Sequence, residues 1–208
     1  MNTERKTEIK NDLENYRYEG DLLKIHTYPD PILKEVAAPV ETFDEKLEKL
    51  CFDMIYTMYK SHGVGLAAPQ IGLSKRIFVV DIDYDRKKEV GPDGEKIYRP
   101  NGFNPKIFIN PSITNCHDEI VYREGCLSVP RIYDDVTRYR YCTVWYQDLK
   151  GEKHTLEASE LLAVCVQHET DHLNGILFIE HLSMLKKDLH IKKIMKRKKR
   201  ELQEQSYS

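Results

Sequence analysis

The chain has 208 residues, of which 40% are hydrophobic and 32% charged, with a formal net charge of −2. That suits one soluble domain with polar appendages rather than two full domains, and no apolar run is long enough to cross a bilayer. The near-neutral balance hides a basic block from Lys186 to Arg200 against a mildly acidic remainder; such a block reads first as a solvated helix face.

Residues 1–20 (MNTERKTEIKNDLENYRYEG) are charged and lack the apolar stretch of a secretory signal, so a polar tail is expected there. Asp30-Pro31 opens a turn. Thr42 to Glu45 fits a capping box that starts a helix. Leu47, Leu50, Cys51, Met54, Ile55 and Met58 then recur at helical spacing, and the helix stops at Gly63 and Gly65. Ile77 to Ile82 reads as a buried strand. Residues 84–105, rich in Gly, Pro and charge, read as a surface loop. Lys106 to Asn110 and Glu119 to Tyr122 read as two short strands. Tyr141 to Gln147 is a further strand, dense in aromatic and β-branched residues, with Trp145 expected in the core. The turn Asp148-Leu149-Lys150-Gly151 returns the chain as an antiparallel hairpin.

Ser159 caps a second helix that is apolar nearly all round through Val166, so it is expected to be buried. Asn174-Gly175 ends it. A last helix runs from around Ser183 to Glu204. Strands and helices do not alternate as βαβ units. The expected fold is therefore α+β, with antiparallel β-sheets packed around a central helix and a helix at the C-terminus. The five cysteines (Cys51, Cys116, Cys126, Cys142, Cys165) are odd in number and follow no disulfide spacing. A reducing cytosol is expected, with thiols free or bound to metal.

His168-Glu169-Thr170-Asp171-His172 is the strongest chemical signal. On a helix, residues i and i+4 share a face about 6 Å apart along the axis, so two imidazoles can converge on one cation. Glu169 is angled off that pair, within reach of a bound water without being a ligand. Leu161, Val164, Cys165, His168 and His172 fall on one stripe. Two histidines and a glutamate inside an apolar helix are costly unless paired or metal-bound. A metalloprotease of the HExxHxxGxxH type finds Gly175 in place, but Phe178 stands where the third histidine belongs, and Glu180 lies unusually close for a glutamate ligand. Two cysteines fit as the third ligand. Cys165 lies on the same helix face, and Cys126 lies in a Gly-flanked segment after a short strand. Spacing does not choose between them, although a thiolate from a separate strand leaves the helix face open to substrate, which favours Cys126.

Three segments, taken together and in order, resemble the peptide deformylase family: Gly63-Val64-Gly65-Leu66-Ala67-Ala68-Pro69-Gln70, Glu124-Gly125-Cys126-Leu127-Ser128, and His168-Glu169-Thr170-Asp171-His172. The resemblance spans about residues 22–200 and is like that of the bacterial class with a C-terminal helix. The tail at 1–20 and the stretch 84–105 depart from shorter members. The resemblance implies metal ligation by Cys126, His168 and His172, and catalytic roles for Glu169, Gln70 and the backbone N–H of Leu127. It also implies a catalytic domain over 21–182, flanked by the tail at 1–20 and a basic helix and tail over 183–208.

The implied reaction is hydrolysis of the formyl group from N-formyl-methionyl peptides, releasing formate. In it a metal-bound water attacks, with Glu169 as general base and then acid. The implied cofactor is one divalent ion, Fe²⁺ in the cell, with Zn²⁺, Ni²⁺ or Co²⁺ as substitutes. Val64, Gly65, Tyr122, Leu161, Val164 and Cys165 are candidates for binding the methionine and its backbone, by strand addition at Val64-Gly65-Leu66 and an apolar wall elsewhere. Glu124 is a candidate partner for Arg138, and Asp171 a candidate for orienting the ligands. Lys192, Lys193, Lys196, Arg197, Lys198, Lys199 and Arg200 are candidates for touching ribosomal RNA. A cytoplasmic location is expected, with neither DNA nor a membrane as partner. The rivals are a metalloprotease and a zinc-stabilised binding module; in the latter Glu169 carries no chemistry.

Overall fold

A computed structural model of the chain describes residues 18–90 and 96–205, with backbone alone for the strand segments 85–90 and 96–101. Most of the expected polar tail lies outside the described residues. The first long element is helix α1 (Glu45–Lys60). Asp44, not Thr42, caps it: the Asp44 side chain accepts from Leu47 N at 2.9 Å, a short local bond typical of an N-cap carboxylate. Leu47, Cys51, Met54, Ile55 and Met58 form the buried stripe. The helix ends at Ser61, and the left-handed residue beyond it is His62 (φ 62°) rather than a glycine.

A five-stranded antiparallel sheet follows, in the order β1 (Gly65–Ala67), β2 (Ile77–Val80), β5 (Lys106–Cys126), β6 (Val129–Gln147) and β7 (Lys153–Ser159). The strands β3 (Asp85–Val90) and β4 (Lys96–Asn101) pair only with each other. The expected surface loop at 84–105 is thus corrected to a β-ribbon. Its polar composition left no apolar period to read, yet backbone pairing needs none.

Alternation explains why β2 is apolar throughout. Ile77 and Val79 point into the cluster beneath α1 with Met54, Met58 and Ile107. Phe78 and Val80 point the other way, into a second cluster with Phe108, Val144, Ala163 and Val166. Both faces are covered, so no polar position is tolerated.

The two short strands expected over 106–122 are one long strand, β5, paired with β6 along nearly its whole length. Register shifts fall between Ile109 and Ser112, Thr114 and His117, and Gly125 and Cys126. Asn110, Asn115 and Asp118 have positive φ near these irregularities, a conformation that Asn and Asp tolerate. Asn110 also fastens the preceding chain, accepting from Val40 N at 2.7 Å and donating to Val40 O at 2.8 Å. Trp145 is corrected from core to surface. It is 51% exposed, because its neighbour Val144 takes the inward face.

Helix α2 (Glu160–Leu173) carries the buried residues Ala163 to Val166, His168, Glu169, His172 and Leu173. Ser159 occupies the cap position but makes no side-chain cap bond. Gly175 turns the chain out with φ 71°. The final helix α3 (Met184–Gln205) buries Ile194 against Leu177, Phe178 and Ile179. Among the described residues no helix is long and apolar enough to cross a membrane.

Candidate active site

Helix α2 meets the β5–β6 turn at one point, where the donor atoms of Cys126, His168 and His172 all lie within 4.8 Å of one another. Cys126 Sγ is 3.2 Å from His172 Nε2, and the two imidazole rings stand nearly perpendicular with centroids 5.0 Å apart. One sulfur and two ring nitrogens at this spacing fit ligands held about 2.0–2.3 Å from a shared cation. Cys165 is outside the cluster and faces the neighbouring cleft. Burial, with the carboxylates of Glu169 and Glu124, pushes its thiol far up, so it remains a neutral side chain.

Glu124 orients the first imidazole. It shares a strand face with Cys126, two residues on, and its Oε2 accepts from His168 Nδ1 at 2.8 Å. That bond leaves His168 Nε2 as the lone-pair nitrogen. Arg138 holds the same carboxylate from the other side, donating to Glu124 Oε1 at 2.6 Å and Oε2 at 3.1 Å. Burial alone raises the Glu124 pKa, but the hydrogen bonds from His168 and Arg138 win and hold it at about 2. Arg138 also donates to Asp171 Oδ2 at 2.6 Å, which accepts from His181 Nε2 at 2.7 Å. Asp171 therefore braces Arg138 rather than hydrogen-bonding to His168 or His172.

Glu169 is 5% exposed. Burial, with a contribution from Glu124, raises its carboxyl to about 7. Its Oε2 is buried and makes no hydrogen bond to protein. Gly65 runs against it so closely that a Cβ there would lie 2.3 Å from Glu169 Oε1. The glycine is required for this approach, not for ending α1.

Gln70 is 2% exposed. Its Oε1 accepts from Ala67 N at 2.8 Å, which points Nε2 toward Ser128 Oγ at 3.2 Å and Cys126 Sγ at 3.5 Å. Ser128 N also donates to Cys126 Sγ, at 3.4 Å. Two donors thus face the sulfur.

A cleft of about 620 Å³ opens over this centre. All the expected binding residues line it: Val64, Gly65, Tyr122, Leu161, Val164 and Cys165, together with Gln70, Cys126, Leu127, His168 and Glu169. Val64 is 41% and Tyr122 37% exposed, so both sit at the mouth, whereas Val164 and Cys165 are buried in the floor. Sequence reasoning missed Ser128, His181 and the charged lip of Arg123 and Arg131. The i, i+2 spacing of Glu124 and Cys126 was the available signal for the orienting bond. A second cluster, Asp148, Glu152 and His154, closes the β6–β7 turn. There Asp148 is already engaged by two backbone N–H groups and by His154.

Comparison with known proteins matches this geometry to one family. The family model described as polypeptide deformylase matches residues 22–188. A peptide deformylase of Erythrobacter litoralis is 49% identical over 180 residues, covering 81% of this chain and 93% of its own. One from Neisseria meningitidis is 48% identical over 178 residues, covering 86% and 97%. The crystal structure of a peptide deformylase from Legionella pneumophila superposes with a TM-score of 0.72 at 43% identity, over 88% of this chain and 98% of that one. The Ehrlichia chaffeensis peptide deformylase solved with actinonin does so with a TM-score of 0.73 at 37% identity, over 85% and 98%. With two thirds and more of each chain in register, and the fold shared, this chain belongs to the peptide deformylase family of hydrolases.

Proposed function

We propose that the cleft hydrolyses the formyl amide of N-formyl-methionyl peptides, with one divalent cation held by Cys126, His168 and His172. The observation that carries this is Glu169. A buried carboxyl raised to about 7, with an unpartnered oxygen beside three converging donors, is placed to exchange a proton near neutral pH. The cation, when bound, supplies Lewis acidity toward the formyl oxygen and makes a water acidic enough to attack. Glu169 accepts the proton of that water and passes it to the departing amine. The Gln70 side-chain amide and the Leu127 backbone N–H donate to the oxygen that gains charge. The methionine side chain lies against Leu161, Val164 and Cys165, and Val64-Gly65 pairs with the peptide backbone at the free edge of β1. Tyr122 closes the mouth. Fe²⁺ is the ion proposed for the cell, with Zn²⁺, Ni²⁺ and Co²⁺ as substitutes, and the proposed location is the cytoplasm.

The test is formate release from formyl-Met-Ala-Ser, with metal content measured on the same samples. Glu169→Gln should lose about 10²–10⁴ in rate while keeping its metal. Formate release unchanged in the variant would refute the role given to Glu169, and a metal-bound wild type that releases no formate would favour the binding-module alternative. Cleavage of internal peptide bonds without formate would favour a protease.

We also infer contact with ribosomal RNA through α3. Lys192, Lys193, Lys196, Lys199 and Arg200 face solvent. Arg197 and Lys198 are half-buried, engaged by Glu201 and Thr27 O, and lie outside that surface.

A further inference from the structure

Outside the metal centre, the cleft continues between the Ser61–Gly65 arm and the end of the β5–β6 ribbon, and the ribbon side of this outer part carries Arg123 and Arg131. Arg131 is placed there by a bulge. Cys126 pairs with Val129 while Gly125 pairs with Tyr133, so Pro130, Arg131 and Ile132 bow out of the ladder. Ile132 turns inward and is 1% exposed. Arg131 turns outward with φ 63°, a left-handed conformation that costs a non-glycine residue free energy and often marks a functional position.

Neither arginine is held in a close ion pair among the described residues. Among the described residues Arg131 has no ion-pair partner. Arg123 reaches Asp135 only at 4.0 Å, with the two side chains 71% and 57% exposed, an arrangement worth little in water. The carboxylates inside the cleft do not answer them either. Glu124 is bound by Arg138 and His168, and Glu169 lies buried at the floor. The lip formed by Arg123 and Arg131 is therefore cationic.

We infer that this lip selects formyl-methionyl peptides with an acidic side chain within the first few residues after methionine, and that Arg123 and Arg131 determine that preference. The inference rests on the deformylase reading of the cleft. An extended peptide advances about 3.3 Å per residue, and Arg123 and Arg131 line the same cleft as Cys126, His168 and Glu169, so the first few residues after methionine come within reach of their charges. Two exposed cations in water give a modest effect: Glu over Lys by about fivefold in kcat/KM at low ionic strength, shrinking as salt screens it.

The test uses the metal-loaded full chain and formyl-Met tetrapeptide amides carrying Glu, Gln or Lys in turn at the second, third and fourth positions. Formate release gives kcat/KM for each. Comparing Glu with Lys within one enzyme cancels any loss of folded protein. The preference for Glu should appear at one position or more, fall with added salt, and vanish or reverse in the double variant Arg123→Glu/Arg131→Glu. Arg131→Gly, which suits the left-handed backbone, should remove part of it. Equal rates for Glu and Lys at every position overturn the inference while leaving the deformylase reading intact, as does a preference that survives the double variant. No formate from any peptide removes both.

Discussion

Replacing Glu124 with glutamine perturbs one of the buried charges of the site without altering its shape. Glu124 is 5% exposed and serves two partners at once: the Arg138 cation through two bonds, and the His168 imidazole through one. Unit charges about 4 Å apart at an effective dielectric of 20 attract by about 4 kcal/mol before desolvation is counted. Breaking such a buried pair costs about 3–5 kcal/mol. Arg138 keeps its bond to Asp171 at 2.6 Å, which argues for the lower end, about 3 kcal/mol. For a chain of this size that corresponds to a fall of about 6–12 °C in Tm. Losing the group that orients a histidine ligand should also weaken metal binding about 10–100-fold. The wild-type carboxyl titrates near 2 although its ordinary value is 4.5. A depressed carboxylate contributes stability above its unfolded pKa and loses it as pH falls through its folded one. Metal-free wild type should therefore lose roughly 3 kcal/mol between pH 4.5 and 2 that the variant never had. Thermal melts across that pH range and chelator competition read out both effects. A variant with unchanged Tm, unchanged acid sensitivity and unchanged metal affinity would refute the role given to Glu124.

Two further predictions follow from contacts. Gly65→Ala forces a Cβ to within 2.3 Å of Glu169 Oε1, so the carboxylate must move; kcat should fall by about 10² with metal content intact, since a displacement near 1 Å at the reacting group costs that much. Wild-type kcat would show that the close approach is unimportant. Reversing Lys192, Lys193, Lys196, Lys199 and Arg200 to Glu should abolish salt-sensitive co-sedimentation with ribosomes and leave peptide turnover untouched, because these side chains face solvent and lie outside the cleft; unchanged co-sedimentation ends the ribosome proposal.

The helices were legible because their signals are local. The α1 stripe and the HExxH spacing on α2 each lie within a few turns of one element. The long strands were not. Bulges at Asn110, Asn115 and Asp118 interrupt the two-residue alternation, so a continuous ribbon reads as fragments separated by turns. The β3–β4 ribbon has too few apolar residues to announce itself. Trp145 misled because residue type suggests core while its parity on the strand points outward. In the site, the three donors were legible as motifs. The brace of Glu124, Arg138, Asp171 and His181 joins residues from two strands, a helix and a short turn, and only the fold brings them together.

The most direct measurement is X-ray absorption on the iron- or zinc-loaded protein, with Cys126→Ser alongside. The account predicts one sulfur at about 2.3 Å and two imidazole nitrogens at about 2.0–2.1 Å from the ion, with the sulfur lost in the variant. A metal shell without sulfur in the wild type, or with sulfur still present in Cys126→Ser, would contradict it.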